Sequence, residues 1–278
     1  MLSLREMQLL AEVEYSVEDT RRDLRRVTEL FKSQPYHEEA MRVIAQETRK
    51  YTAEIINESE MFFVDEDFPL DGIPEELQAE SLGFVRGKRM LYAGRLVYPV
   101  KDVKGQIMGF CGWDKFDRPK YLDSKNHGYK AKETTFYGME KLSDYYRSSE
   151  PVYVTEGIVC CLYLRSKGLQ AIALLGSGTT KYVSIILKRL EKRLVFIPDN
   201  DIIGKPLEEI SDARPAGEHF VRQVKRQFPL AVVVQSRLAK DVDDTRLLEN
   251  GKYEQLFLDE LKRVGKCPYS LFQTIVVR

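Results

Sequence analysis

Four short apolar runs punctuate the second half of the chain: PVYVTE (151–156), QAIALLG (170–176), RLVFIPD (193–199) and AVVVQSR (231–237). Each is nearly continuous in apolar residues rather than alternating, which is how a strand reads when both of its faces are covered. Between them lie segments with helical patterning, at 158–167, 179–191 and 215–228. Strands alternating with helices predict a parallel sheet with right-handed helical crossovers, because parallel neighbours need a long connection. The pattern is different upstream. SVEDTRRDLRRVTELFK (16–32) sets Ser16 and Asp19 at capping-box spacing and puts Val17, Leu24, Val27 and Phe31 on one helical face. Pro35 separates it from a second predicted helix over 36–59, and VDEDFPLDGIPEE reads as a loop. RLVYPVKD and GQIMGFCGWD, parted by Val103, Lys104 and Gly105, predict a hairpin.

The fold class is therefore α/β. A parallel sheet flanked by helices is expected over 149–252, after an α+β subdomain over 81–148 and a helical N-terminal region over 1–80. A short C-terminal tail over 253–278 completes the expected organisation.

Charge sharpens this division. The formal net charge of the 278 residues is zero, but residues 1–80 hold 9 Lys/Arg against 20 Asp/Glu, and residues 81–148 hold 14 against 7. The middle block suits a polyanionic partner, and a solvated lysine-rich face would have the same composition. The four cysteines, Cys111, Cys160, Cys161 and Cys267, form no C-x-x-C pair, so no zinc site is expected. No apolar run approaches the roughly 20 residues of a membrane span, and the N-terminus lacks a signal-peptide pattern. A cytoplasmic protein without a membrane partner is the expectation.

In open parallel sheets, ligands collect beyond the carboxyl ends of the strands. Glu156 follows the first run, Asp199 and Asp201 the third, and Asp241, Asp243 and Asp244 the fourth. An acid in such a place is also what a helix cap supplies. Brought together, though, carboxylates repel unless a cation offsets them, and hard oxygen ligands of this kind favour Mg²⁺ or Mn²⁺. The implied chemistry is metal-assisted phosphoryl transfer. Gly157 is expected to let the chain turn sharply after Glu156. Gly176, in LLGSGTT, is expected to shape a turn whose backbone N–H groups lead into a helix N-terminus and could hold a phosphate.

An E-G after one strand, a glycine-rich turn after the next, D-x-D after the third and a second acidic pair beyond it resemble the TOPRIM domain of bacterial-type primases, topoisomerases, OLD-family nucleases and RecR-like proteins. GRLVYPVKDVKGQIMGFCGWDKFDRPKYLDS with KETTFYGMEKL is similar to the basic subdomain that precedes TOPRIM in the DnaG-type primase core. The resemblance covers about residues 84–250. It implies Glu156, Asp199 and Asp201 as principal metal-binding acids and Asp241 and Asp243 as a second acidic pair. It also implies Arg95, Lys120 and Lys132 as contacts to template, nucleotide or primer, with Lys240 beside the second pair joining them.

The implied reaction is RNA primer synthesis from ribonucleoside triphosphates on single-stranded DNA. Tyr98, Trp113 or Tyr121 would be available to stack on bases or to pack in the core. The chain departs from the family in having no cysteine before Cys111 for a zinc-binding module and in placing Cys160 where the family tends to have an acid. Those departures imply a phage-encoded enzyme working with a helicase or other replication proteins supplied as separate chains. A TOPRIM nuclease, or a decayed nucleic-acid-binding accessory subunit, are the alternatives.

Overall fold

The computed structural model of the protein describes residues 4–78, 82, 84–86, 89–114, 121–123, 135–176, 178–199, 216–236, 239–248, 251–266 and 273–277. Contacts divide the chain into two compact units, 1–131 and 132–278, rather than at the expected boundaries of 80 and 148. The reason is shared burial. Leu24, Val27 and Phe31 of the N-terminal helix lie in one core with Phe84, Tyr92, Val97 and Phe110, whereas Phe136, Leu142 and Tyr145 pack into the core of the second unit.

In the first unit α1 spans Leu4–Lys32, longer than the helix expected from Ser16, since nothing between residues 4 and 16 is a glycine or proline that would stop it. Next come α2 (His37–Ala40), continued by a π-helical stretch Met41–Thr48, and α3 (Ala53–Ser59). The single helix expected over 36–59 is thus interrupted. Lys50 adopts φ 59°, Tyr51 is buried at 4% exposure, and the Thr52 hydroxyl restarts the helix by accepting from the Ile55 N–H at 3.4 Å.

Strands β1 (Phe62–Val64), β2 (Val85–Arg86), β3 (Arg89–Met90), β4 (Arg95–Lys101), β5 (Ile107–Trp113) and β6 (Tyr121–Asp123) follow. β1, β4, β5 and β6 form one antiparallel sheet in that order, so the hairpin read from sequence is present. Its turn is set by Asp102, whose Oδ1 accepts from the N–H groups of Lys104 (2.8 Å) and Gln106 (3.0 Å), and by Gly105 at φ 77°. Asp102 also pairs with Arg21 at 3.1 Å, tying the hairpin to α1.

The second unit comprises α4 (Leu142–Arg147), β7 (Val152–Thr155), α5 (Ile158–Ser166), β8 (Ala171–Ala173), α6 (Lys181–Arg189), β9 (Leu194–Ile197), α7 (Ala216–Gln227), β10 (Val232–Ser236), α8 (Lys252–Lys266) and β11 (Gln273–Val277). The sheet runs β11-β10-β9-β7-β8, and every neighbouring pair is parallel.

Side chains alternate between its faces. Val152, Val154, Ile172, Phe196 and Val233 meet Val183 and Leu187 of α6 and Phe220 and Val224 of α7. On the other face Tyr153 donates its hydroxyl to the Leu261 carbonyl of α8 at 3.0 Å, and Tyr163 of α5 bonds Glu254 of α8. Phe196 lies 6.0 Å from Phe220 and 5.1 Å from Phe228 between ring centroids. Burying each such ring contributes about 2–3 kcal/mol, so the sheet is a rigid support for whatever lies at its rim. The region expected as a tail is instead part of this unit: α8 buries Tyr253, Phe257, Leu258, Leu261 and Val264, and β11 extends the sheet beside β10. Among the described residues no helix is long and apolar enough to cross a membrane.

Candidate metal and nucleotide site

The chain moves from β7 through α5 to β8, then returns through α6 past β7 to β9, so strand order reverses between β7 and β9. Such a switch point opens a crevice beyond the strand carboxyl ends. Thr155 and Ile197 are register partners there, which sets Glu156 and Asp199 beside each other. The Glu156 carboxylate accepts from the backbone N–H of Asp199 at 3.0 Å. A charge-assisted bond of this kind holds the side chain at the crevice.

The third acidic element arrives from β10. Ser236 Oγ accepts from the Ala239 N–H at 2.8 Å and lies 3.0 Å from the Tyr253 hydroxyl of α8, so α8 anchors the start of this turn. Asp241 Oδ1 then accepts from the Asp244 N–H at 2.9 Å. One carboxylate oxygen from each of Asp241, Asp243 and Asp244 lies within 4.8 Å of the others. Asp241 and Asp243 are 9% and 2% exposed.

Cys160 lies in the first turn of α5, 4% exposed, and burial pushes its thiol well above the ordinary value, reinforced by the carboxylates of Asp241, Asp199 and Asp243. Asp201 lies outside the described residues.

The glycine turn after β8 reaches the same rim, since Ala173 pairs with Thr155. Its left-handed residue is Leu175 (φ 60°), not Gly176, and nothing about a leucine announces that in the sequence. The chain bends at Glu156 and Gly157 as expected, with Gly157 at φ −108°, ψ 152°, so the bend does not need a left-handed glycine. Shape comes from α7. Gln223 accepts from the Thr179 N–H at 3.2 Å and donates to the Thr179 carbonyl at 2.5 Å. Gln227 bonds both Thr179 and Ser184, and Thr180 caps α6 by accepting from the Val183 N–H at 3.2 Å. These amides were not legible as site residues, because their partners lie some 40 residues away in the chain.

Lys240 is exposed beside Asp241, Arg95 is 3% exposed at the start of β4 in the first unit, and Lys120 and Lys132 lie outside the described residues. Of the aromatics, Tyr98 (0%) and Trp113 (3%) are core residues, with the Arg49 guanidinium 4.5 Å from the Trp113 ring. They are not available to stack on bases. Tyr121 is half-buried.

Residues 71–143 match the family described as the DNA primase catalytic core, N-terminal domain. The DNA primase of Legionella pneumophila is 25% identical over 220 residues, covering 62% of this chain and 38% of that protein; the chain thus spans less than half of that relative. Among solved structures, the DnaG catalytic core superposes with a TM-score of 0.68 at 20% identity, covering 87% of this chain and 79% of that one. The DnaG primase catalytic domain bound to single-stranded DNA gives 0.67 at 19% identity, covering 89% and 82%. The fold is that of the DnaG-type primase catalytic core.

Proposed function

We propose that this chain, built on the DnaG-type primase core, joins ribonucleoside triphosphates into short RNA primers on single-stranded DNA during replication. The observation that carries the reading is the rim of the parallel sheet, where Glu156, Asp199, Asp241 and Asp243 follow three different strands and the Glu156 carboxylate accepts from the Asp199 N–H at 3.0 Å.

The donor set fits hard divalent cations: oxygens of Asp241, Asp243 and Asp244 lie within 4.8 Å of one another, partly withdrawn from water, with no imidazole among them. Glu156, Asp199, Asp241 and Asp243 would hold the ions, with Asp201 as a further candidate, and Mg²⁺ or Mn²⁺ is the pair we propose. Bound there, such cations supply neutralisation of charge developing on a transferring phosphoryl group.

The chain's own residues do the rest. Glu156, fixed by the Asp199 N–H, keeps its orientation, so less reorganisation accompanies reaction. Asp241, fixed by the Asp244 N–H, does the same from the far side of the crevice. Lys240, exposed at this turn, is a proposed contact for a phosphate. The Gly176 turn, braced by Gln223, offers backbone N–H groups to a nucleotide. Arg95 in the first unit, with Lys120 and Lys132 outside the described residues, remain proposed contacts for template or primer. We place the enzyme in the cytoplasm, working beside a replicative helicase or other replication proteins on separate chains.

The test is incubation of the protein with a single-stranded template, four ribonucleotides and Mg²⁺ or Mn²⁺, with candidate replication partners added in parallel. Short alkali-labile RNA that disappears in Asp199→Ala is the expected result. Shortening of the DNA without ribonucleotide use would instead identify a nuclease, and RNA synthesis undiminished in Asp199→Ala would remove the acids from the chemistry.

A further inference from the structure

At the opposite end of the parallel sheet from the acids, the last turns of α6 and α7 flank an open groove of about 420 Å³. Leu187, Leu194, Phe228 and Ala231 make an apolar floor that continues outward to Leu230, a leucine 53% exposed. The rim is basic. Lys188 and Lys192 line the groove with Glu191 as the one acid among its described lining residues, and Arg189, Lys225 and Arg226 stand in the same two helix ends. Lys188 holds its ammonium 5.6 Å from the Phe228 ring centroid. Lys192 lies 6.0 Å from the ring centroid of Tyr146, itself 59% exposed.

Cations in a helix's last turn complement its carbonyl end, which accounts for the position of several of these residues. It does not account for an uncovered apolar floor between them. The geometry points to a docking site for an acidic peptide segment of a partner protein that inserts one or two large apolar side chains between α6 and α7 while its carboxylates meet the lysine rim.

Three features favour that occupant. The floor is largely aliphatic, which suits an inserted side chain, whereas single-stranded nucleic acid is held by exposed aromatic faces on which bases stack. The one ring in the floor, Phe228, is 5% exposed and has Lys188 above it. A second copy of this chain in a two-fold contact would set the same basic rim against itself, so self-association is opposed by charge. An acidic, apolar-anchored peptide satisfies both the floor and the rim.

Fluorescence anisotropy on the full chain tests the proposal, with two labelled synthetic peptides as probes: one of Asp and Glu residues around a central Leu-Phe pair, the other with Ser-Ser at the centre. The Leu-Phe peptide is expected to bind at least about tenfold more tightly. Leu230→Glu should lose about tenfold of that affinity, Lys188→Glu should lose a similar factor with a flatter salt dependence, and RNA synthesis should be unchanged in both variants. Equal binding of the two peptides, or undiminished binding in Leu230→Glu, would reduce the groove to a charged surface and overturn the proposal. So would failure of the Leu-Phe peptide to bind, displacement of it by single-stranded DNA, or wild-type dimers that Leu230→Glu dissociates. Because the readout is peptide affinity, a protein that makes no RNA can still pass or fail it.

Discussion

Replacing Gly178 by alanine would set a Cβ 2.6 Å from Gln223 Oε1, too close for the side chain to stay. Gln223 is the end of a flexible chain, so space alone would make its displacement cheap. Its two bonds to Thr179, at 3.2 and 2.5 Å, are what it would give up. At a net worth of about 1 kcal/mol each, losing them costs roughly 1–2 kcal/mol. Gly178 is not among the glycines with positive φ, so alanine also gains about 0.4–1 kcal/mol by restricting the unfolded chain. The net expectation for Gly178→Ala is a loss of about 0–1.6 kcal/mol, or a melting temperature lower by roughly 0–6 °C. In a Gln223→Ala background the obstruction is gone and only the unfolded-state term remains, so Gly178→Ala should then be neutral or slightly stabilising. Thermal unfolding of the four proteins gives the coupling directly, with about 1–2 kcal/mol expected. Additivity within about 0.5 kcal/mol would refute the claim that α7 sets the shape of the turn.

Asp199→Ala and Glu156→Gln should each abolish RNA synthesis while the circular-dichroism spectrum and affinity for single-stranded DNA stay close to wild type; retained synthesis in either variant would dismiss that carboxylate from the chemistry. Mn²⁺ at about ten times its dissociation constant should stabilise the wild type by about 1.4 kcal/mol, readable in a melting scan, and Asp243→Asn should remove that increment, whereas an unchanged increment would put the ion elsewhere. Burial raises the Tyr153 phenol to about 12, so the folded state holds this proton more tightly than the unfolded state. Its contribution is fully present below pH 10 and is lost as pH rises from 10 to 12. Tyr153→Phe should cost about 1 kcal/mol near neutrality through the lost bond to Leu261 and make stability fall less steeply across that alkaline range, which urea titrations at pH 8, 10 and 11.5 would measure.

The second unit was the more legible half because its strands are covered on both faces. Val152–Thr155, Leu194–Ile197 and Val232–Ser236 read as apolar runs for that reason, and the acids that follow them stand out against those runs in the sequence. What escaped depends on distant partners. α8 carries an apolar stripe at 253, 257, 258, 261 and 264, but its pairing with the sheet through Tyr153 and Ser236 is tertiary, so the segment reads as a tail. The break between the π-helical stretch and α3 contains neither glycine nor proline and arises where Tyr51 is buried. Likewise Tyr98 and Trp113 have the residue types of a base-stacking surface and are 0% and 3% exposed. Periodicity shows which residues could face inward, but not which polar ones the fold will enclose.

The central claim is that carboxylates following β7, β9 and β10 hold cations together at one rim. Anomalous diffraction from a crystal soaked in Mn²⁺ tests it most directly. Manganese peaks with oxygen ligands from Glu156 or Asp199 on one side and from Asp241 or Asp243 on the other, lost in crystals of Asp243→Asn, are the predicted result. Peaks confined to surface acids, or none at the rim, would contradict the account.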